Sequence, residues 1–232
     1  MPDPTEHEAL LVANRLWELN EFPVAGRFDT AHLCEIHRRL FQDLSQYHPG
    51  QFRPEGAQHL KARAMDSLHA RYYVPYAPRK LVKDGLAHTL KPGLLSELSR
   101  LSVPVFAKRM AALYGDLDYW HAFKEGNSRT LREFTRQLAR HCGYILDWGA
   151  SNADGQARDV LYVARDRAVF ARAFPDLAAQ RAMTTDNRVE FEAYMIMQQF
   201  RSLPTLDTLL AGWVTPAPER RRLRDQDLEL GD

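Results

Sequence analysis

A polar turn between two helical patterns constrains the fold of this chain most strongly. Residues 121–127 read HAFKEGN. Before them, Ser102 is a candidate N-cap, and apolar residues recur at helical spacing from Val105 to Leu117. After them, a second helix presents one apolar face and ends at Gly143. That face consists of Leu131, Phe134, Leu138 and Cys142. The sequence therefore predicts two core helices joined by a short polar turn.

Helical periodicity dominates the rest of the chain as well, which predicts an all-α fold. Further helices are predicted over residues 5–19, from Asp29 as N-cap to Leu44, and over 81–90, 94–101, 160–173 and 189–200. Residues 71–76, RYYVPY, are aromatic and β-branched with prolines, which favours a short edge strand or hairpin. We expect β-structure only there. The tryptophans expected in the core are Trp17, Trp120 and Trp148.

Composition excludes several classes of protein. The 31 basic and 30 acidic residues give a net charge of +1, so the chain lacks the overall charge of a nonspecific nucleic-acid binder. Cys34 and Cys142 are too few and too far apart for a disulfide framework or a CxxC site. No apolar run approaches the roughly 18 residues that a membrane span needs, and MPDPTEHEAL does not resemble a signal peptide. We expect a cytoplasmic protein without nucleic-acid or membrane partners, and export by another signal stays open.

Two further clusters have no predicted function. His32, Cys34 and His37 share a helix, but their spacing does not suit a metal site. The basic run at residues 220–224 is followed at once by acidic residues. We therefore expect residues 215–232 to form a solvated tail rather than a nucleic-acid contact.

The turn carries the residues of an anion site. The first-turn amides of the following helix and its dipole attract an anion, and Gly126 allows the backbone to approach it closely. Asn127 can cap this helix or donate to a phosphate oxygen. Arg129 and Arg132 lie three residues apart, so both guanidinium groups can reach neighbouring phosphates. The carboxylate of Glu125 suits a Mg²⁺ ion that bridges phosphates. These residues together predict a polyphosphate site.

A histidine and a phenylalanine complete the turn. His121 has an ordinary pKa near 6.5, which suits it to accept a proton from a hydroxyl nucleophile. Phe123 is the apolar residue of a polar loop, so we expect it to anchor the turn in the core.

The spacing HxFxEGNxRxxR resembles the signature of the Fic family of nucleotidyltransferases. FDTAHLCEIHRRLFQDL and GQFR also resemble the segments that precede the active site there. The resemblance spans roughly residues 10–148. It implies the all-α Fic/Fido fold with a small β-hairpin, called the flap, and transfer of AMP from ATP to a Tyr, Thr or Ser hydroxyl of a target protein, with release of pyrophosphate.

The resemblance also implies the roles of individual residues. His121 would be the general base, Glu125 would bind the Mg²⁺ that bridges the α- and β-phosphates, and Lys124 would contact the nucleotide. The anion hole would be formed by Gly126, Asn127 and the backbone of Ser128, with Arg129 on the β-phosphate and Arg132 on the γ-phosphate. His121, Asn127, Arg129 and Arg132 would therefore be the catalytic residues.

The flap and the domain organisation follow from the same resemblance. The flap is expected at about residues 68–78 and would align the target by strand addition. Its target-binding residues would be Arg71, Tyr72, Tyr73 and Val74. We expect a single Fic-like domain over residues 1–200, with its motif core at 102–143, followed by a C-terminal extension at 201–232.

Two departures from the family pattern leave alternatives open. Ala122 replaces the usual proline, and Ser128 replaces the second glycine of GNG. The serine leaves the choice of nucleotide open. The inhibitory motif [S/T]xxxE[G/N] is not found in TEHEAL or near Glu190. Control could come from a small antitoxin-like partner, or from delivery of a constitutively active effector into a host cell. A different donor, kinase-like transfer, or a catalytically silent nucleotide-binding module are the alternative functions.

Overall fold

A computed structural model describes residues 4–56 and 59–218 of the chain. The helices are α1 (Pro4–Glu21), α2 (Thr30–Phe41), α3 (Arg79–Thr89), α4 (Leu94–Ser99), α5 (Val103–Trp120), α6 (Asn127–His141), α7 (Gly155–Ala173), α8 (Ala179–Thr184), α9 (Arg188–Gln199) and α10 (Leu206–Trp213). The strands are β1 (Leu60–Met65), β2 (Ala70–Pro75), β3 (Tyr144–Leu146) and β4 (Val214–Pro216). The fold is mostly helical, as predicted.

Helix α5 is the centre of the molecule, and α3, α6, α7 and α10 pack around it. Its buried apolar side chains are Phe106, Met110, Leu113, Tyr114 and Leu117. Pro104 lies in its first turn after Ser102, whose side chain makes no capping hydrogen bond. Helix α3 approaches α5 so closely that a Cβ on Gly85 would lie 2.4 Å from the ring of Trp120.

The predicted apolar face of α6 is confirmed, since all four of its side chains are buried. The helix ends at Cys142, and Gly143 follows with φ 79°. Because β3 starts directly after this glycine, the left-handed residue turns the chain from the helix into a strand.

The prediction of β-structure at a single place was wrong. The expected hairpin exists, with β1 and β2 antiparallel and Arg63 opposite Tyr72. Its range of about 68–78 was wrong, because β1 lies before residue 68. A second pair joins β3 to β4, with Ile145 opposite Thr215. Each of these strands has three residues and its partner is distant in sequence, so no local pattern marks the pair.

The prediction of a solvated tail from residue 215 was wrong for its first residues. Thr215 and Pro216 belong to β4, and Ala217 is buried. Helix α10, just before β4, packs on α5. The rest of the expected tail, residues 219–232, lies outside the described residues, and the domain limits at 1–200 and 201–232 stay predictions.

The tryptophans divide between core and surface. Trp148 is buried and donates through Nε1 to Thr135 Oγ1 at 3.2 Å. Trp120 is half-buried, but Trp17 is 66% exposed, so its assignment to the core was wrong. Within the described residues, no helix is both long and apolar enough to span a membrane.

Candidate active site

The residue after the last turn of α5 is His121, which has the left-handed φ of 43°. This backbone turns the side chain into a cavity of about 360 Å³. The imidazole is 3% exposed and stacks on Tyr76, with ring centroids 3.7 Å apart. Neither of its ring nitrogens has a hydrogen-bond partner among the described residues.

Burial sets the protonation state of His121. It lowers the pKa of the imidazole well below 6.5, and the nearby Lys61, His59, Arg63 and Arg165 lower it further. His121 is therefore neutral at neutral pH. The nearest carboxylate oxygen, Oδ1 of Asp118, lies 3.9 Å from Nδ1, which is too far for a hydrogen bond. A neutral imidazole with free nitrogens can accept a proton from a bound group.

Two buried side chains outside the motif hold the backbone of the turn. Arg53 donates through Nε to the carbonyl of His121 at 2.8 Å, and its own amide donates to the carbonyl of Ala122 at 2.8 Å. His37 bonds through Nε2 to the carbonyl of Glu125 at 3.0 Å and accepts at Nδ1 from the amide of Gly50 at 2.9 Å. Because Nδ1 accepts, Nε2 must carry the proton that is donated.

Phe123 anchors the turn as expected, being 1% exposed and stacked on His37 with centroids 3.8 Å apart. Asn127 does not use its side chain to cap α6, which was one of the two expectations. Its Oδ1 accepts from the amide of Phe123 at 2.9 Å, and its Nδ2 donates to the carbonyl of Phe123 at 2.7 Å. The side chain therefore closes the loop rather than capping α6.

Gly126 precedes α6 with φ 78°, and a Cβ there would lie 2.4 Å from the ring of Phe41. Both the conformation and the contact require glycine. The amides at the start of α6 then border the cavity, because Gly126, Asn127 and Ser128 all line it. This is the arrangement that an anion at a helix N-terminus needs.

Arg129 and Arg132 both line the same cavity. Arg129 lies over the ring of Phe41 and donates to Tyr47 Oη at 2.9 Å. Glu8 of α1 lies 3.6 Å from its Nη2. Among the described residues, Arg132 donates a side-chain hydrogen bond only to Asn152 Oδ1, at 3.4 Å, its Nε has no partner, and its guanidinium lies over the ring of Trp148. Arg132 is therefore the less engaged of the two guanidinium groups.

Glu125 and Lys124 lie on different sides of the turn. Glu125 lines the cavity, with a side chain 53% exposed and Oε2 3.6 Å from Nζ of Lys61. Lys124 is exposed, its Nζ lies 3.5 Å from Nε2 of His48, and it does not line the cavity. The structure therefore brings Glu125, but not Lys124, to the other motif residues.

Several cavity residues were missed by the sequence reasoning. Beyond the motif, the lining includes Lys61, Arg63, Asn152, Arg158, Tyr162 and Arg165. Arg63 and Arg165 are held by buried carboxylates, since Arg63 pairs with Asp166 at 2.9 Å and Arg165 with Asp118 at 2.9 Å. The sequence offered one signal for Arg165. It is a charged residue on an otherwise apolar helical face, four positions after Leu161, which is buried.

The hairpin places its residues on two faces. Of the four residues expected to bind a target, Tyr72 and Val74 face inward, and Tyr72 donates to Asp166 Oδ2 at 2.9 Å. Arg71 and Tyr73 face outward. β2 packs on α7 and α9, and no described residue pairs with the outer edge of β1.

Comparisons with known proteins agree with this geometry. The sequence model of the Fic/DOC family matches residues 27–139. The protein adenylyltransferase VbhT of Bartonella schoenbuchensis is 31% identical over 134 residues, which cover 58% of this chain and 26% of that protein. The probable protein adenylyltransferase Fic of Salmonella typhimurium is 31% identical over 117 residues, covering 50% of this chain and 52% of that protein. The chain thus spans about a quarter to a half of these relatives.

Solved structures share the fold. An N-terminal Fic domain from Bartonella quintana with bound ADP superposes with a TM-score of 0.58 at 20% identity, over 94% of this chain and 89% of that one. BepC from Bartonella tribocorum with bound AMPPNP gives a TM-score of 0.57 at 20% identity, over 93% of this chain and 90% of that one. The part of this chain that holds the turn at His121 and the glycine-led start of α6, residues 27–139, thus resembles the Fic/DOC family in sequence and in fold.

Proposed function

We propose that this protein transfers AMP from ATP to a hydroxyl side chain of a target protein. One observation carries the proposal: a buried, neutral histidine, whose ring nitrogens have no hydrogen-bond partner in the described part of the chain, lies in the same cavity as the α6 N-terminus and two arginines. The hydroxyl oxygen attacks the α-phosphorus while the bond to the α,β-bridging oxygen breaks. The hydroxyl proton passes to a ring nitrogen of His121, and pyrophosphate leaves.

The names of the relatives support this reaction, since two of them are called protein adenylyltransferases. The structural neighbours with bound ADP and AMPPNP support an adenine nucleotide as the donor. In this chain the first-turn amides of α6 would hold the phosphates, with Arg129 and Arg132 beside them. Attack is favoured because these groups stabilise the negative charge that the transition state gains.

The residues present fit a Mg²⁺ ion that is shared with the phosphates. No cluster of three metal-ligating side chains exists among the described residues, so the protein alone would not hold the ion. Mg²⁺ commonly needs only one or two carboxylates when phosphate oxygens complete its shell. Glu125 would supply that carboxylate, and the ion would neutralise charge on the α- and β-phosphates.

The target would be a protein segment that lies along the hairpin. The unpaired outer edge of β1 can accept a further strand, and Lys61 and Arg63 on β1 line the cavity. This places the added segment near His121. Arg71 and Tyr73 on the outward face of β2 would contact side chains of the same target.

Control of AMP transfer would come from a source other than the motif residues 121–132. Glu8 of α1 approaches Arg129, which also donates to Tyr47, and makes no ion pair with Arg132 among the described residues. We therefore propose either a separate small inhibitory partner or control by delivery as an effector. Co-purification of a second small protein that abolishes transfer would select the first of these.

Incubation with ATP labelled at the α- or the γ-phosphate, Mg²⁺ and a cell lysate tests the reaction. Label from the α position should appear on proteins, and His121→Ala should abolish it. His88→Ala, at an exposed histidine on α3, is the matched control and should label fully. Label that arrives only from the γ position would mean phosphotransfer, and nucleotide binding without any label would mean a silent binding module. Either result would reject AMP transfer.

A further inference from the structure

A buried guanidinium group outside the motif connects α5 and α6, the two helices that flank the turn at residues 121–127. Arg165 of α7 is 1% exposed, and its Nε and Nη2 donate to the two oxygens of Asp118 at 3.1 and 2.9 Å. Its Nη1 donates to Ser128 Oγ at 3.0 Å. Asp118 lies in the last turn of α5, shortly before His121, and Ser128 lies in the first turn of α6. One side chain thus contacts both ends of the turn.

The shape of the guanidinium makes these contacts interdependent. Its three nitrogens lie in one rigid plane, so a shift that keeps one of the three bonds disturbs the others. A lysine has a single nitrogen and could not reach Asp118 with two bonds and Ser128 with a third. The position of the α6 N-terminus is therefore tied to that of α5 by a planar group of fixed size.

The positive charge of Arg165 is neutralised by Asp118. Asp118 is fully buried and accepts two hydrogen bonds from it, so the pair is neutral as a unit. The positive charge that lines the cavity comes from several other side chains as well, among them Arg129 and Arg132. What Arg165 adds beyond charge is a contact between the two helices, and Ser128, which departs from the family glycine, supplies the hydroxyl that receives its third bond.

We propose that Arg165 is a positioning residue of the transfer reaction. Through Asp118 and Ser128 it keeps His121 and the anion-binding amides of α6 at a fixed separation. The inference rests on the proposed function, since it concerns the distance between the base and the phosphates in that reaction.

Arg172 offers a matched control. It also joins α7 to α5, by bonding to Asp116, but it does not line the cavity. We expect Arg165→Lys to slow AMP transfer by about tenfold or more, mainly in kcat, because small displacements of reacting groups are costly. Arg172→Lys should leave kcat unchanged. Equal slowing by the two variants, or a normal rate in Arg165→Lys, would overturn the proposal.

A double-mutant cycle separates positioning from general destabilisation. If Arg165 acts through Ser128, Arg165→Lys combined with Ser128→Ala should be no slower than Arg165→Lys alone. Additive effects would refute the connection. Should Arg165→Lys fail to fold, Ser128→Ala and Ser128→Thr carry the test, because only threonine keeps the hydroxyl. A slower rate in Ser128→Ala than in Ser128→Thr supports the inference, and equal rates in the two reject it.

A measurement that does not depend on catalysis tests this inference separately from the proposed function. The imidazole NMR signals of His121 should shift in Arg165→Lys and stay in place in Arg172→Lys. If the wild-type protein transfers no AMP but the signals shift as stated, the reaction is wrong and the positioning by Arg165 stands. Unshifted His121 signals in Arg165→Lys would reject the positioning itself.

Discussion

Acid should destabilise this protein in part through one buried histidine, His37. Burial lowers its pKa from 6.5 to about 4. Its Nδ1 accepts a hydrogen bond from the amide of Gly50, so protonation would place two hydrogens against each other. Between the two pKa values the unfolded chain binds a proton that the folded protein excludes. The free energy of unfolding therefore falls as the pH falls.

The size of the effect follows from the pKa difference. A gap of about 2.5 units corresponds to about 3 kcal/mol once the pH is below both values. At pH 5 the loss relative to pH 7.5 is about 2 kcal/mol. Chemical denaturation at the two pH values measures the total change, to which other groups also contribute. His37→Gln removes this titration and keeps an amide that can donate to the carbonyl of Glu125.

We expect the decrease between pH 7.5 and pH 5 to be about 2 kcal/mol smaller in His37→Gln than in the wild-type protein. His88→Gln, at an exposed position on α3, controls for the loss of a histidine as such and should leave the decrease unchanged. If the wild-type protein and His37→Gln lose the same free energy on acidification, the reasoning is refuted.

Three further predictions concern the site. The kcat of AMP transfer should stay level from pH 8 to about pH 6, because burial keeps the pKa of His121 well below 6.5, and a midpoint at 6.5 in a pH profile would contradict this. Arg132→Ala should weaken ATP binding, measured by calorimetry, by about 1.5–3 kcal/mol, since a charge-assisted bond is lost; unchanged affinity would exclude a phosphate contact. Gly126→Ala should lower the free energy of unfolding by about 1–3 kcal/mol, because of its φ of 78° and the contact with Phe41, and a fully stable variant would contradict the strain.

The sequence could locate the turn because its signals are local. The apolar spacing of α5 and α6 and the order of residues from His121 to Arg132 depend on neighbours within a few positions. These signals predicted the two helices and the turn between them, which the structure contains. They could not show that the amide of Asn127 is used to close the loop on Phe123, since this depends on the path of the folded backbone.

Helix α1 shows that apolar periodicity does not predict which face of a helix is buried. Val12 and Leu19 lie seven residues apart on one face, and Leu10 and Trp17 lie seven apart on another. The structure buries the first pair and exposes the second. Periodicity states which residues share a face. Which face is covered depends on the elements that pack against it, here α2.

The sequence by itself determined the helical class, the turn between α5 and α6, and the order of polar residues from His121 to Arg132. Tertiary structure alone decided how that turn is held. Arg53, His37 and Arg165 come from distant segments, and each reaches it through hydrogen bonds that exist only when the chain is folded. The pairing of β3 with β4 has the same origin. Local spacing encodes local structure, whereas contacts between distant residues depend on how the helices pack.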